Sequence, residues 1–228
     1  MSDLVNTRNV SDADIVRVFR GAAYVVAMTA LLGLGTTTSA AHSLKALEDK
    51  LQERERYVQI VQESAPDFTL QDAQGREIGL ADFRGEVVVL NFIYTNCPDI
   101  CLLHSERIAE IQEMIEPTPM RELVQFISIT TDPLRDTWSV MKDYGPDHGL
   151  DPANWMFLSS GPDGLDATRD LAGDYGLKFT LTDSGYQMHG LVTFLIDKRG
   201  NIRARYFGLK FHPTNFILQV NALTNDDH

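Results

Sequence analysis

The strongest constraint on how this chain can fold is the run Val87-Val88-Val89-Leu90-Asn91-Phe92-Ile93-Tyr94. A strand with one wet face alternates apolar and polar residues. A nearly unbroken β-branched and aromatic run describes a strand covered on both faces. Such a strand needs a sheet with helices on either side. The following sequence supplies them. The spacing predicts a helix from Ile100 to Glu116, with Ile108, Ile111 and Ile115 on its core side and Pro117 and Pro119 closing it. A strand over Val124–Thr130, a helix over Thr137–Tyr144, a strand over Trp155–Ser159 and a helix over Asp163–Tyr175 come next. Leu191–Ile196 and Ile202–Phe207 flank the turn Asp197-Lys198-Arg199-Gly200-Asn201 as a hairpin, and Pro213–Leu223 ends the chain as a helix. Ahead of the central run, Ala65–Leu70, the turn Asp72-Ala73-Gln74-Gly75 and Ile78-Gly79-Leu80 read as a small hairpin.

This order describes an α/β domain of the thioredoxin-like kind, a mixed sheet with helices on both faces, over residues 65–228. It carries a geometric expectation. Cys97 lies just past the C-terminal end of the central strand, and His189 lies just before Leu191–Ile196. With those two strands as antiparallel neighbours, the end of one meets the start of the other, and Cys101 and His189 face each other across a loop.

Residues 1–41 read as an address. Arg17 and Arg20 precede the uncharged stretch Gly21–Ala41, whose apolar heart runs from Ala22 through Leu34, and Thr36-Thr37-Thr38-Ser39-Ala40-Ala41 offers small residues for a signal peptidase. The apolar heart is shorter than the roughly 20 residues a spanning helix needs, which favours a cleaved signal peptide. With its small-residue flanks the segment reaches spanning length, so a retained membrane anchor is the alternative. Either way the rest of the chain is expected outside the cytoplasm, in the periplasm or at the outer face of an inner membrane. Residues 42–64 read as a helical spacer, because Leu44, Leu47, Leu51, Val58 and Val61 recur at helical spacing among charged residues.

The net charge of −12, from 32 acidic and 20 basic residues, argues against nucleic acid as a partner, since phosphate binding needs clustered Lys and Arg. Two cysteines cannot build a disulfide scaffold, so Cys97 and Cys101 point to local chemistry. They stand at i and i+4 where a strand gives way to a helix, so both sulfurs reach one ion or each other. Amides at a helix start favour the thiolate, which is both nucleophile and metal ligand. A pair of buried structural cysteines is the bland alternative.

Phe92-Ile93-Tyr94-Thr95-Asn96-Cys97-Pro98-Asp99-Ile100-Cys101 resembles the signature of the Sco (SenC) family, in which Tyr-Thr-His precedes Cys-Pro-Asp-Val-Cys-Pro. Ile127 to Thr137, with Asp132-Pro133-Leu134-Arg135-Asp136-Thr137, resembles the family's second block. Tyr186-Gln187-Met188-His189 followed by Phe194-Leu195-Ile196-Asp197 resembles the block holding the metal-binding histidine. The three blocks occur in order within residues 65–224. Asn96, Leu102 and Met188 depart from the family's His, Pro and acidic residue; none removes a ligand, while Leu102 and Met188 alter the surroundings that tune copper affinity.

The resemblance implies a metal site of Cys97, Cys101 and His189, with the same cysteines as a redox dithiol. Two thiolates suit Cu(I), and an imidazole admits Cu(II). Structural zinc would ask for a fourth protein ligand. Met188 and His104 are lesser candidate donors; His148 and His212 read as surface residues, and His42 would matter only as a mature N-terminus. Asp132, Arg135 and Asp136 either form a structural ion pair and helix start or line the cysteine loop. Trp138, Tyr144 and Trp155 read as core or rim aromatics. The implied function is a copper-binding assembly factor for the dinuclear copper site of cytochrome c oxidase, its partner being the oxidase's copper-site subunit or another copper or thiol assembly protein, with the membrane contacted through an uncleaved N-terminus. The alternative is a thiol–disulfide oxidoreductase acting on target cysteines. A thiol peroxidase fits less well, because peroxidases of this fold carry Thr-x-x-Cys where this chain has Thr95-Asn96-Cys97.

Overall fold

The computed structural model describes residues 37–97, 100–161, 164–178, 180–181, 187–188 and 190–226. Most of the expected export segment lies outside them. Among the described residues no helix is long and apolar enough to cross a membrane.

The elements in chain order are α1 (Thr37–Arg54), β1 (Val58–Ser64), β2 (Thr69–Gln71), β3 (Glu77–Gly79), β4 (Val87–Ile93), α2 (Ile100–Ile115), β5 (Val124–Thr130), α3 (Trp138–Asp147) and β6 (Trp155–Leu158). After them come α4 (Leu165–Asp174), β7 (Thr180–Leu181), β8 (Gln187–Met188), β9 (Val192–Ile196), β10 (Asn201–Phe207) and α5 (Pro213–Thr224). Residues Ser43–Asp227 make one compact unit. Its main sheet has the order β1-β10-β9-β4-β5-β6. β4 pairs parallel with β5 and antiparallel with β9, and β5 pairs parallel with β6. The α/β fold with helices on both faces is therefore present as expected.

Every residue of β4 is buried. Val87, Val89 and Ile93 pack with Ile108 and Ile111 of α2, Met141 of α3 and Phe216 of α5. Val88, Leu90 and Phe92 point the other way, onto Leu80, Phe83, Leu171, Tyr175 and Phe194. Each such side chain contributes about 1.5–3 kcal/mol through burial. That two-sided cover is why the run lacks polar alternation.

Residues 42–64 depart from expectation. The helix stops at Arg54, and Val58–Ser64 is an edge strand, antiparallel to β10 with Val58 opposite Tyr206 and Ile60 opposite Ala204. Val58 and Val61 fit a helical period, but β-branched residues at 58, 60 and 61 favour extended backbone once a partner exists. The partner is β10, whose outer edge would otherwise present unpaired amides and carbonyls. The Gln52 side chain accepts from the Ile60 amide at 3.0 Å, joining helix to strand. Arg203 of β10 donates to Glu48 of α1 at 2.8 Å, and both side chains are buried.

Candidate functional site

β4 delivers the chain to the site. Tyr94 stays buried, the Cys97 amide donates to its carbonyl at 3.3 Å, and α2 begins at Ile100. Pro98 and Asp99 lie outside the described residues. Cys97 is half-buried, and Cys101, in the first turn of α2, is 1% exposed; both are free thiols. The Cys101 amide donates to the Cys97 sulfur at 3.3 Å. This amide is one of the donors a helix start leaves without an intrahelical acceptor, so the sulfur completes the helix terminus.

Burial pushes the Cys101 thiol well above its ordinary value, and its hydrogen bond with Cys97 pushes the same way. Burial thus opposes, at Cys101, the thiolate that a helix start favours. The two sulfurs are chemically unequal: one is partly open to solvent, the other is sealed in the core.

The pairing of Asn91 with Thr193 sets the end of β4 beside the start of β9, as expected. His189 itself lies outside the described residues. Among those described, no group of three His, Cys, Asp or Glu side chains converges as a metal site. Met188 falls in β8.

Asp136 is 1% exposed and accepts from the Thr95 amide at 3.2 Å, from the Thr95 hydroxyl and from the Thr130 hydroxyl. Burial pushes its carboxyl up, against those donors, which hold it down. Each of the two readings of the Asp132–Asp136 block has a contact behind it. Arg135 pairs with Asp132, a structural contact, while Asp136 lines the cysteine loop.

His104 is fully buried, and its Nε2 meets the Thr193 hydroxyl at 2.8 Å, facing the sheet. His148 is half-buried with its ring 4.3 Å from that of Tyr144, and His212 is exposed at the start of α5. His42 lies in α1. Trp155 and Tyr144 are core aromatics as expected; Trp155 Nε1 donates to Ser128 Oγ at 3.2 Å, and the Tyr144 hydroxyl meets Ser105 Oγ at 2.9 Å.

Sequence reasoning missed a buried polar row beneath α2. Asn91 stands opposite Thr193 on one side and Ser128 on the other, and Ser128 Oγ donates to Asn91 Oδ1 at 2.8 Å. The signal was Asn91 itself, the single amide inside an apolar run. Thr95, the hydroxyl that Asp136 grips, lay within the cysteine motif without a role. Beside the dithiol, Ile100, Leu191 and Phe207 line an open groove of about 460 Å³ with Tyr57 and Lys210.

A family model described as SCO1/SenC matches residues 56–224. The mitochondrial SCO2 homologue of Bos taurus is 37% identical over 122 residues, covering 53% of this chain and 46% of its own. The chain thus spans about half the length of the curated relatives it matches. Among solved structures, a SCO1/SenC family lipoprotein from Bacillus anthracis superposes with a TM-score of 0.63 at 23% identity, over 75% of this chain and 98% of that one. The copper-bound ScoI of Bradyrhizobium japonicum gives 0.58 at 25% identity, over 70% and 99%.

Proposed function

The chain belongs to the SCO1/SenC family, and from that premise we propose that it is a copper-binding assembly factor that delivers copper to, or prepares, the dinuclear copper site of cytochrome c oxidase. Copper is cargo in this reading. The observation that carries it is the dithiol, two free thiols within one helical turn with the Cys101 amide on the Cys97 sulfur. Soft thiolates hold Cu(I), and His189, as the third donor, admits Cu(II). Copper in the solved structure of the Bradyrhizobium relative supports the assignment. The site lies outside the cytoplasm, and the apolar groove beside Ile100 suits contact with a partner protein.

A second reading has its own observation. A half-buried Cys97 beside a sealed Cys101 is the asymmetry that thiol exchange uses, one sulfur meeting the target and the other resolving the mixed disulfide. The same dithiol can hold Cu(I) when reduced and form a disulfide when oxidised.

Copper titration of the reduced protein, with the disulfide state assayed in parallel, tests both. Cys97→Ser or Cys101→Ser should abolish copper binding and thiol exchange together. His189→Ala should keep the disulfide and weak Cu(I) binding but lose Cu(II). In cells that accumulate His189→Ala normally, failed oxidase assembly with intact thiol exchange supports delivery. Normal assembly would reject delivery through three ligands. A reporter active only outside the cytoplasm, fused after His228, should be active.

A further inference from the structure

The loop that carries Cys97 is tied to the sheet by a residue far away in sequence. Asp136 lies between β5 and α3, and its carboxylate is sealed from solvent. It takes the amide of Thr95 at 3.2 Å to each oxygen and the Thr95 hydroxyl to Oδ1. Its Oδ2 takes the hydroxyl of Thr130, the last residue of β5. Thr130 is held in turn, its Oγ1 accepting from the Asp132 amide at 2.9 Å. The Thr131 amide donates to the Ile93 carbonyl at 2.9 Å, so the ends of β4 and β5 are closed together just beneath the loop. Two residues past Thr95, the Cys97 sulfur receives the Cys101 amide.

Charge-assisted hydrogen bonds to a buried carboxylate are about twice as strong as neutral ones. A buried carboxylate gripping one residue by both amide and hydroxyl fixes that residue's backbone as well as its side chain. Ion-pair partners are not needed for this, and Arg135 pairs with Asp132 instead. We infer that Asp136 is a positioning residue for the dithiol: acting through Thr95, it holds the loop so that the Cys97 sulfur stays over the first turn of α2, within closing distance of Cys101. The inference rests on the reading of Cys97 and Cys101 as the working pair and adds the residue that sets their geometry.

The expected consequence concerns ring closure. Disulfide geometry is narrow, so a loop that wanders lowers the effective concentration of one sulfur at the other. The full-length chain is equilibrated with glutathione. The Cys97 and Cys101 thiols lose two protons and two electrons to form one S–S bond, and glutathione disulfide gains both and is cleaved to two thiols. Trapping by alkylation and mass spectrometry gives the equilibrium constant. Asp136→Asn should lower it about tenfold, about 30 mV for a two-electron couple. Thr95→Val, which removes only the hydroxyl, should lower it several-fold, and it carries the test alone where Asp136→Asn does not fold. The double variant should fall little below Asp136→Asn, because both act through one contact. Glu48→Ala, which weakens the fold at the far edge of the sheet, should leave the constant within about twofold of wild type. An unchanged constant in both site variants, additive losses, or an equal fall in Glu48→Ala overturns the inference while leaving the dithiol reading standing. A wild-type chain that closes no intramolecular disulfide at any glutathione ratio overturns the redox reading and the inference together.

Discussion

The Cys101 amide donates to the Cys97 sulfur across 3.3 Å, so the buried cysteine's own backbone holds the half-buried one at the start of α2. The pair is unequal by construction, and that inequality is measurable. Limited alkylation of the reduced, folded chain should label Cys97 at least about tenfold faster than Cys101, since reactivity follows exposure and thiolate character. Peptide mass spectrometry reads the ratio. Equal labelling in the folded state would contradict the burial of Cys101.

The N-terminal helix should matter to stability. Glu48 and Arg203 form a buried pair at 2.8 Å, with Asp197 3.6 Å from the same guanidinium. Glu48→Ala leaves that guanidinium without its nearer partner and should cost about 3 kcal/mol in denaturant unfolding. Replacing Glu48 and Arg203 together by Met should recover part of the loss: neither charge of that pair is then stranded, while Asp197 loses the guanidinium and keeps the amides of Arg199 and Asn201. A loss under about 1 kcal/mol for Glu48→Ala would show the pair to be solvated.

Glu55 predicts an acid limb. Its Oε2 accepts from the His212 amide at 2.9 Å and from Asn215 Nδ2 at 3.1 Å, tying the end of α1 to the start of α5. Burial by itself raises the carboxyl; the His212 amide, the Asn215 side chain and the Tyr57 amide outweigh it and hold it below its ordinary value. A depressed folded value means the contribution is complete above the unfolded value of about 4.3 and lost as pH falls through the folded one. The melting temperature of the wild type should therefore fall more steeply below about pH 4 than that of Glu55→Gln. Parallel curves would remove Glu55 from the account.

Gly145 is required for packing. A Cβ built there runs into the six-membered ring of Trp155. Gly145→Ala should cost about 1–3 kcal/mol by overpacking, although alanine favours the helix. It should also change tryptophan emission, because Trp155 must move off Ser128. A stabilised variant would mean that α3 shifts freely.

The two-faced burial of Val87–Tyr94 fixed most of the fold in advance. Once that run is a central strand, the helices and strands after it have few places to go. β5, α2, β9, β10 and α5 lie where their periodicity put them. The failure at Val58–Ser64 has a definite cause. A seven-residue stretch with β-branched residues at 58, 60 and 61 satisfies helix and strand periods alike, and only the open edge of β10 decides between them.

Much the same division runs through the site. By itself the sequence determined that the only two cysteines sit one helical turn apart where a buried strand meets a helix, because that depends on local spacing and periodicity alone. It also carried the motifs that mark the family. Tertiary structure decided which sulfur meets solvent, that His104 turns to Thr193 in the core, and that Asp136 grips Thr95 in the cysteine loop. Those outcomes depend on what packs above each group and on contacts across some 40 or 90 positions of chain, where desolvation and hydrogen bonding compete with the local preferences that a sequence displays.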